Sequence, residues 1–380
     1  MEAILGNFKS MLNPSCDEEE EAKTKQLPNY ANQVFKLPID DLNEDTYNLS
    51  SIVSSDLELV LGENSMYGSL FNPSNEFAKQ IMPLYQEKYT TNTKYLLETQ
   101  QVIENMSDFE DCKGNVDCKK IQENWTDVKH DPKFMETYGY LEWSMLEECN
   151  RSSIVLQTIS LTNMLSPIMS FFIPILFLLF PFVILKIQGI PITMTMYLEV
   201  LREIAKHHFI GKALSTFESF SIQNLIYLLG MLGLYGLQMY QNTTQCLRFY
   251  RNMQKINDEL CTWKEFVDRN ISQIDCFVRL NNTYSTYKTF CERLTKKKKV
   301  LIELREMLSP ICPFSCSIFK TTEVGYMLKC YYEMHTNSEI ENTLLFCMGF
   351  EGYLELMSGA NKQLLEGVVS KASFCEDPIV

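Results

Sequence analysis

Hydrophobic positions recur at helical spacing along most of the chain. Phe77, Ile81, Leu84 and Tyr85, then Tyr95, Leu96 and Ile103 after a break at Lys88–Thr93, fall three and four residues apart, which predicts helix capped by Ser74. Pro83 has no N–H and should kink that helix or force a restart. A loop over Asp108–Lys119 follows, and helix is expected again through Leu141–Leu146. Further along, Phe249, Met253, Ile256 and Leu260 define one helical face, and Trp263, Phe266, Val267 and Ile271 continue it. Val300, Leu301, Leu304, Met307 and Leu308 run to a stop at Ser309–Pro310, and Val324, Met327, Leu328, Tyr331 and Tyr332 match a helical face in full. No alternating strand run of useful length precedes Gly349–Tyr353. The fold class this predicts is all-α, a helical bundle with lever helices and a long apolar helical hairpin in its middle.

That middle differs in kind. No charged residue occurs between Arg151 and Lys186, and fourteen of the eighteen residues Ile168–Leu185 are Ile, Leu, Val or Phe. Inserting such residues into a bilayer gains roughly 0.3 to 0.6 kcal/mol each, about 4 to 8 kcal/mol in all, which outweighs the penalty from Pro174 and Pro181. Eighteen residues rise about 27 Å as a helix, close to the thickness of a bilayer core. A second uncharged run covers Ser219–Leu247 and carries Gly230, Gly233 and Gly236 along one face, the small-residue pattern that permits close helix contact in lipid. Both segments read as candidate membrane helices, 166–187 and 223–241, with Pro174, Pro181, Gly230, Gly233 and Gly236 as their packing residues; a buried helix pair in a soluble bundle is the competing reading. Lys186, Arg202, Lys206 and Lys212 between the runs balance Arg151, Arg248, Arg251 and Lys255 outside them, so cation bias sets no orientation.

The organisation that follows is an acidic flexible arm over 1–62, a helical region over 63–150, the apolar region over 151–247 and a helical core or lever region over 248–380. The net charge of −14 lies entirely in the first 150 residues, which makes them a poor nucleic-acid surface. The first residues offer no apolar stretch long enough for a signal peptide, and thirteen scattered cysteines read as reduced thiols. The expected location is thus a membrane, with the soluble parts on the intracellular, reducing side.

Candidate chemistry is sparse. The sequence contains no P-loop, no Gly-x-Ser-x-Gly and no His-Glu-x-x-His. Cys312, Cys316, Cys330 and His335 approach a zinc spacing, but Cys330 and His335 sit five apart on an expected helix and face different ways, so buried free thiols fit better. Arg293, Lys296, Lys297, Lys298, Lys299 and Arg305 form a basic cluster, read either as phosphate or anionic-lipid contacts or as a solvated helix surface. The pair His207–His208 marks an interfacial or loop helix rather than a site.

Six blocks, at 65–100, 138–150, 165–193, 204–214, 308–335 and 347–359, occur together and in order. Among them are LSPIMSFFIPILFLLFPFVILKIQGIPIT, LSPICPFSCSIFKTTEVGYMLKCYYEMH and CMGFEGYLELMSG. Over roughly residues 60–375 the chain resembles the N-terminal, non-ATPase part of the MutS-like proteins of giant DNA viruses. The resemblance implies a helical core-and-lever region, with the helices near 297–335 as the lever, serving an ATPase of the kind that clamps DNA in mismatch repair. It implies double-stranded DNA as a partner and admits the homodimer that MutS-like proteins form. In that family a Walker A loop follows the block ending near Gly359, and no such loop occurs in these 380 residues. No catalytic, metal or cofactor site is therefore expected here, and ATP with Mg²⁺ only where a downstream ATPase domain exists. The expected function is a non-catalytic, membrane-associated scaffold or lever for a DNA-clamping ATPase. The alternative is a two-span membrane protein with helical soluble domains and no repair role.

Overall fold

The computed structural model describes residues 28–374, apart from 43, 63–64, 113–116, 188–192, 194, 198, 201–221 and 315–317. Its elements in chain order are β1 (Thr46–Asn48), α1 (Ser51–Asp56), α2 (Met66–Phe71), α3 (Glu76–Ile81), β2 (Lys88–Thr90), α4 (Thr93–Asn105), α5 (Cys118–His130), α6 (Phe134–Tyr138), α7 (Ser153–Ile187), α8 (Ile222–Asn281), α9 (Lys288–Leu308), α10 (Ile318–Thr336) and α11 (Ser338–Leu365). The fold is all-α. The one small sheet pairs β1 antiparallel to β2, with Tyr47 opposite Tyr89. Three-residue strands leave no usable alternation, which is why the sequence pattern did not register them. Contacts divide the chain into two compact units that interleave along the sequence: 1–132 with 261–310 and 334–380, and 133–260 with 311–333. A linear division at 62, 150 and 247 does not capture this, because hydrophobic faces far apart in sequence pair with one another.

In the first unit α11 is the centre. Asn337 caps it through Oδ1, which accepts from the amides of Glu339 and Ile340 at 2.9 and 3.3 Å. Leu344, Phe346, Cys347, Phe350, Tyr353, Leu356 and Met357 are all buried, so the helix is enclosed on every side. The Gly349–Tyr353 stretch is part of this helix and not a strand. Its glycines let neighbouring backbone approach: a Cβ on Gly359 would lie 1.8 Å from the Phe71 carbonyl oxygen, and one on Gly352 2.5 Å from that of Phe77.

The expected flexible arm is corrected over its described part. Tyr30, Ala31, Phe35 and Leu37 are buried, Phe35 packs edge-on or tilted against Phe290, Phe346 and Tyr353, and the Ala31 amide donates to Gln80 at 3.0 Å. Aromatic anchors hold a polar segment whose average composition reads as loose. The cap of α3 is Asn75, whose Oδ1 accepts from Ala78 N at 2.7 Å, while Ser74 donates to Glu355. Pro83 has its expected effect, since α3 ends at Ile81 and a 3₁₀ turn covers Met82–Gln86.

In the second unit Phe134, Tyr138, Tyr140, Tyr331 and Tyr332 form one aromatic cluster. Its hydroxyls are satisfied inside the unit: Tyr331 donates to Glu259 at 2.8 Å and Tyr140 to the Leu328 carbonyl at 2.8 Å. Gly325 of α10 meets the first turn of α7, its N–H donating to Gln157 at 2.8 Å. Residues 141–146 are not helical. Gly139, at φ 74°, ends α6, and the following chain is held as a loop. Nor does helix break near Leu247, because α8 is a single helix of 60 residues without an internal proline.

Candidate functional site

The feature that stands out among the described residues is the apolar surface of α7 and of the first half of α8. On α7, Leu165, Ile168, Met169, Phe171, Phe172, Leu176, Leu179, Phe180, Phe182, Val183 and Ile187 are exposed, and at 100° per residue they cover about half of the helix circumference. On α8, Leu225, Ile226, Leu229, Leu232, Leu234, Leu237 and Tyr240 are exposed as well. An ordinary surface helix turns its apolar stripe inward and its charges outward. Here the outward face is apolar, and from Ser152 to Leu185 no charge is available to cover it. Contiguous apolar surface of this extent marks a binding or membrane face. Among the described residues one stretch, Ser153–Phe172, is long and apolar enough to cross a membrane, and it overlaps the expected 166–187.

The two helices are joined by polar contacts at their facing sides. Tyr235 OH donates to the Ser170 carbonyl at 3.2 Å, Asn242 Nδ2 to Ser170 Oγ at 2.5 Å, and Cys246 Sγ to the Met164 carbonyl at 3.5 Å. Rising numbers on α7 meet falling numbers on α8, so the paired segments run antiparallel. The first of these bonds has a specific cause. Inside an α-helix the carbonyl of residue 170 would accept from the N–H of residue 174, and Pro174 has none. Tyr235 supplies the missing donor. In water such a carbonyl would simply be hydrated; away from water, leaving it bare costs several kcal/mol. Pro167, Pro174 and Pro181 recur every seventh residue, which keeps them on one stripe of α7. The helix is nevertheless unbroken through all three. The seven-residue spacing is legible in the sequence, whereas the role of Tyr235 is not, since it depends on which residues of α8 come opposite.

Gly230, Gly233 and Gly236 are not used in this pairing, because a Cβ at any of them would meet nothing within 4 Å. The backbones of Pro174 and Pro181 are helical. The basic cluster is dispersed by its helix. Arg293 pairs with Asp41 and donates to the Lys36 carbonyl at 3.1 Å. Lys298 pairs with Asp275 at 2.5 Å, and Lys297 lies half-buried over the Phe346 ring, where burial lowers its pKa. Lys296, Lys299 and Arg305 are exposed. The cluster is thus part structural and part solvated, not one anion-binding patch.

Other candidate chemistry is closed off. Burial pushes the Cys118 thiol up to about 12 and those of Cys291 and Cys330 to about 11, and it raises Cys347 further, so none is a ready thiolate. Cys312 is exposed, Cys330 is buried and His335 Nδ1 lies 2.6 Å from the Val128 carbonyl, while Cys316 is outside the described residues. His207 and His208 are outside them too. Among the described residues no group of three or more His, Cys, Asp or Glu could hold a metal ion. Burial raises the Glu351 carboxyl although Arg269 lies 2.5 Å away, a contact that belongs to the core beside Gln273. Compared with protein-family models, curated proteins and solved structures, the chain matches none.

Proposed function

We propose that this protein is a membrane-anchored helical scaffold without chemistry of its own, in which α7 and the first half of α8 form a two-span hairpin carrying the rest of the chain. The observation that carries this reading is the pairing of an outward apolar surface with an inward polar repair, Tyr235 on the carbonyl that Pro174 leaves bare. Each makes sense in lipid and is wasteful in water. Extraction of the expressed protein from membranes at alkaline carbonate pH tests it. Retention in the pellet is the expected result, and release into the supernatant removes the spans.

The resemblance to MutS-like proteins adds a narrower reading, in which the scaffold is the core-and-lever part of a membrane-tethered DNA clamp. What supports it is that the block at 347–359 lies in the enclosed helix α11, where Gly349, Gly352 and Gly359 admit neighbouring backbone. A mobility-shift titration with duplex DNA at low salt separates the two, because phosphate contacts are strongest there. Binding that weakens steeply with salt supports the clamp, and no binding at low salt leaves the anchored scaffold alone.

A further inference from the structure

The loop that follows α6 displays an apolar tip. Trp143 is 75% exposed and Met145 92%, and Leu146 beside them is exposed too. This is not a frayed segment. Its base is clamped by Asn150, which is fully buried: Oδ1 accepts from the Leu141 amide and Nδ2 donates to the Leu141 carbonyl, each at 2.9 Å. The tip itself is a turn closed by the Leu146 amide on the Trp143 carbonyl at 2.8 Å. An open cavity of about 380 Å³ beside it is lined by Tyr140, Leu141, Glu142, Trp143 and Leu146. Hydrogen bonds at its base and across its turn thus hold a tryptophan and a methionine out into the surroundings, where in water they gain nothing.

Its position relative to α7 names the surroundings. Gly139, at the start of the loop, packs against Asn163, whose Nδ2 would be 3.7 Å from a Cβ there. Asn163 is five residues before Ile168, about 7 Å along the helix axis. Headgroup layers add roughly 5–7 Å to each side of a bilayer core, so a core taken at Ile168–Leu185, the run richest in Ile, Leu, Val and Phe, and not at Ser153–Phe172, puts Asn163 at the water–lipid boundary. Arg248, exposed and two residues beyond the Cys246 contact to Met164, marks the same level on α8. Tryptophan is the side chain best suited to that layer.

We infer that the Trp143–Leu146 tip is an interfacial anchor that inserts into the headgroup region of the bilayer spanned by α7 and α8. This rests on the membrane reading above and extends it from the two helices to a third point of contact. Three acids flank the tip: Glu142 is exposed beside Trp143, Glu147 accepts from the Tyr332 hydroxyl at 3.2 Å and Glu148 lies 3.6 Å from Arg151, so the tip suits zwitterionic lipid and anionic lipid should weaken its insertion.

The other two tryptophans, Trp125 and Trp263, are fully buried, so Trp143 alone can report on its surroundings. The full chain is reconstituted into phosphatidylcholine vesicles, with and without lipid brominated on the upper acyl chain. Bromolipid should quench a component of the emission that acrylamide in the water does not reach, and Trp143→Phe should abolish that component. Met145→Glu should lift the tip out, losing the quenching while the protein stays resistant to alkaline extraction. A protein that resists extraction while Trp143 remains open to acrylamide and untouched by bromolipid overturns the anchor and leaves the spans intact. A protein that never enters the vesicles sinks both.

Discussion

Helices α7 and α11 are both rich in apolar residues, and they meet opposite surroundings. Helix α11 is enclosed by protein, carries Glu351, Glu355 and Lys362 along its length, and uses Gly352 and Gly359 to admit neighbouring backbone. Helix α7 has no charge from Ser153 to Leu185 and turns Phe171, Leu176, Phe180 and Val183 outward. Apolar content alone does not separate an enclosed helix from one with an apolar outer face. The length of the charge-free run differs between them, and on the proposed reading that is because a protein core is finished within a few turns and a bilayer is not.

The largest expected effect comes from charging α7. Leu176→Arg combined with Leu179→Arg should cost about 5–7 kcal/mol of insertion and shift the protein out of the alkali-resistant fraction, measured by immunoblot of pellet and supernatant. On an ordinary solvent-facing helix the same pair would be close to neutral. Next comes a matched pair of glycine substitutions. Gly359→Leu drives a side chain into the Phe71 backbone and should destabilise by about 3 kcal/mol or more, whereas Gly233→Leu enters open space and should change stability by no more than about 1 kcal/mol. Denaturant unfolding in detergent compares them.

A smaller effect tests the repair at Pro174. Tyr235→Phe should lose about 0.6 kcal/mol, the average for a hydrogen bond between helices in lipid, and no more than about 1.7, while Tyr240→Phe, on an exposed side chain, should lose none. The smallest effect is kinetic: under native conditions near neutral pH, maleimide should modify Cys312 and spare Cys118, Cys291, Cys330 and Cys347, read by peptide mass mapping.

The sequence made the helical class and the apolar middle legible, because periodicity and a missing charge survive without coordinates. The faces of α8 from Phe249 to Ile271 and of α10 from Val324 to Tyr332 are buried as their spacing predicts. What it hid were features set by partners distant in the chain. Phe35 is a core residue because Phe290, Phe346 and Tyr353 surround it, although it lies in an N-terminal stretch whose average composition is polar. The stretch 141–146 has helical spacing but is a loop, because Gly139 ends α6 and Asn150 clamps Leu141. The basic cluster was open to reading as anion contacts or as a solvated surface, and what its sequence did not show is that Asp41 and Asp275 each take one of its cations. The glycines of α8 stood out as packing residues, but the inter-helix contacts fell to Tyr235, Asn242 and Cys246.

The central claim, that the outer faces of α7 and α8 touch lipid, is tested most directly by spin labels placed singly at 176, 179, 232 and 234 in the reconstituted protein. Relaxation by oxygen, which concentrates in the bilayer, should exceed relaxation by a water-soluble nickel chelate at every one of these positions. Stronger relaxation by the chelate at all four would mean that water covers these faces, and the membrane anchor would be wrong.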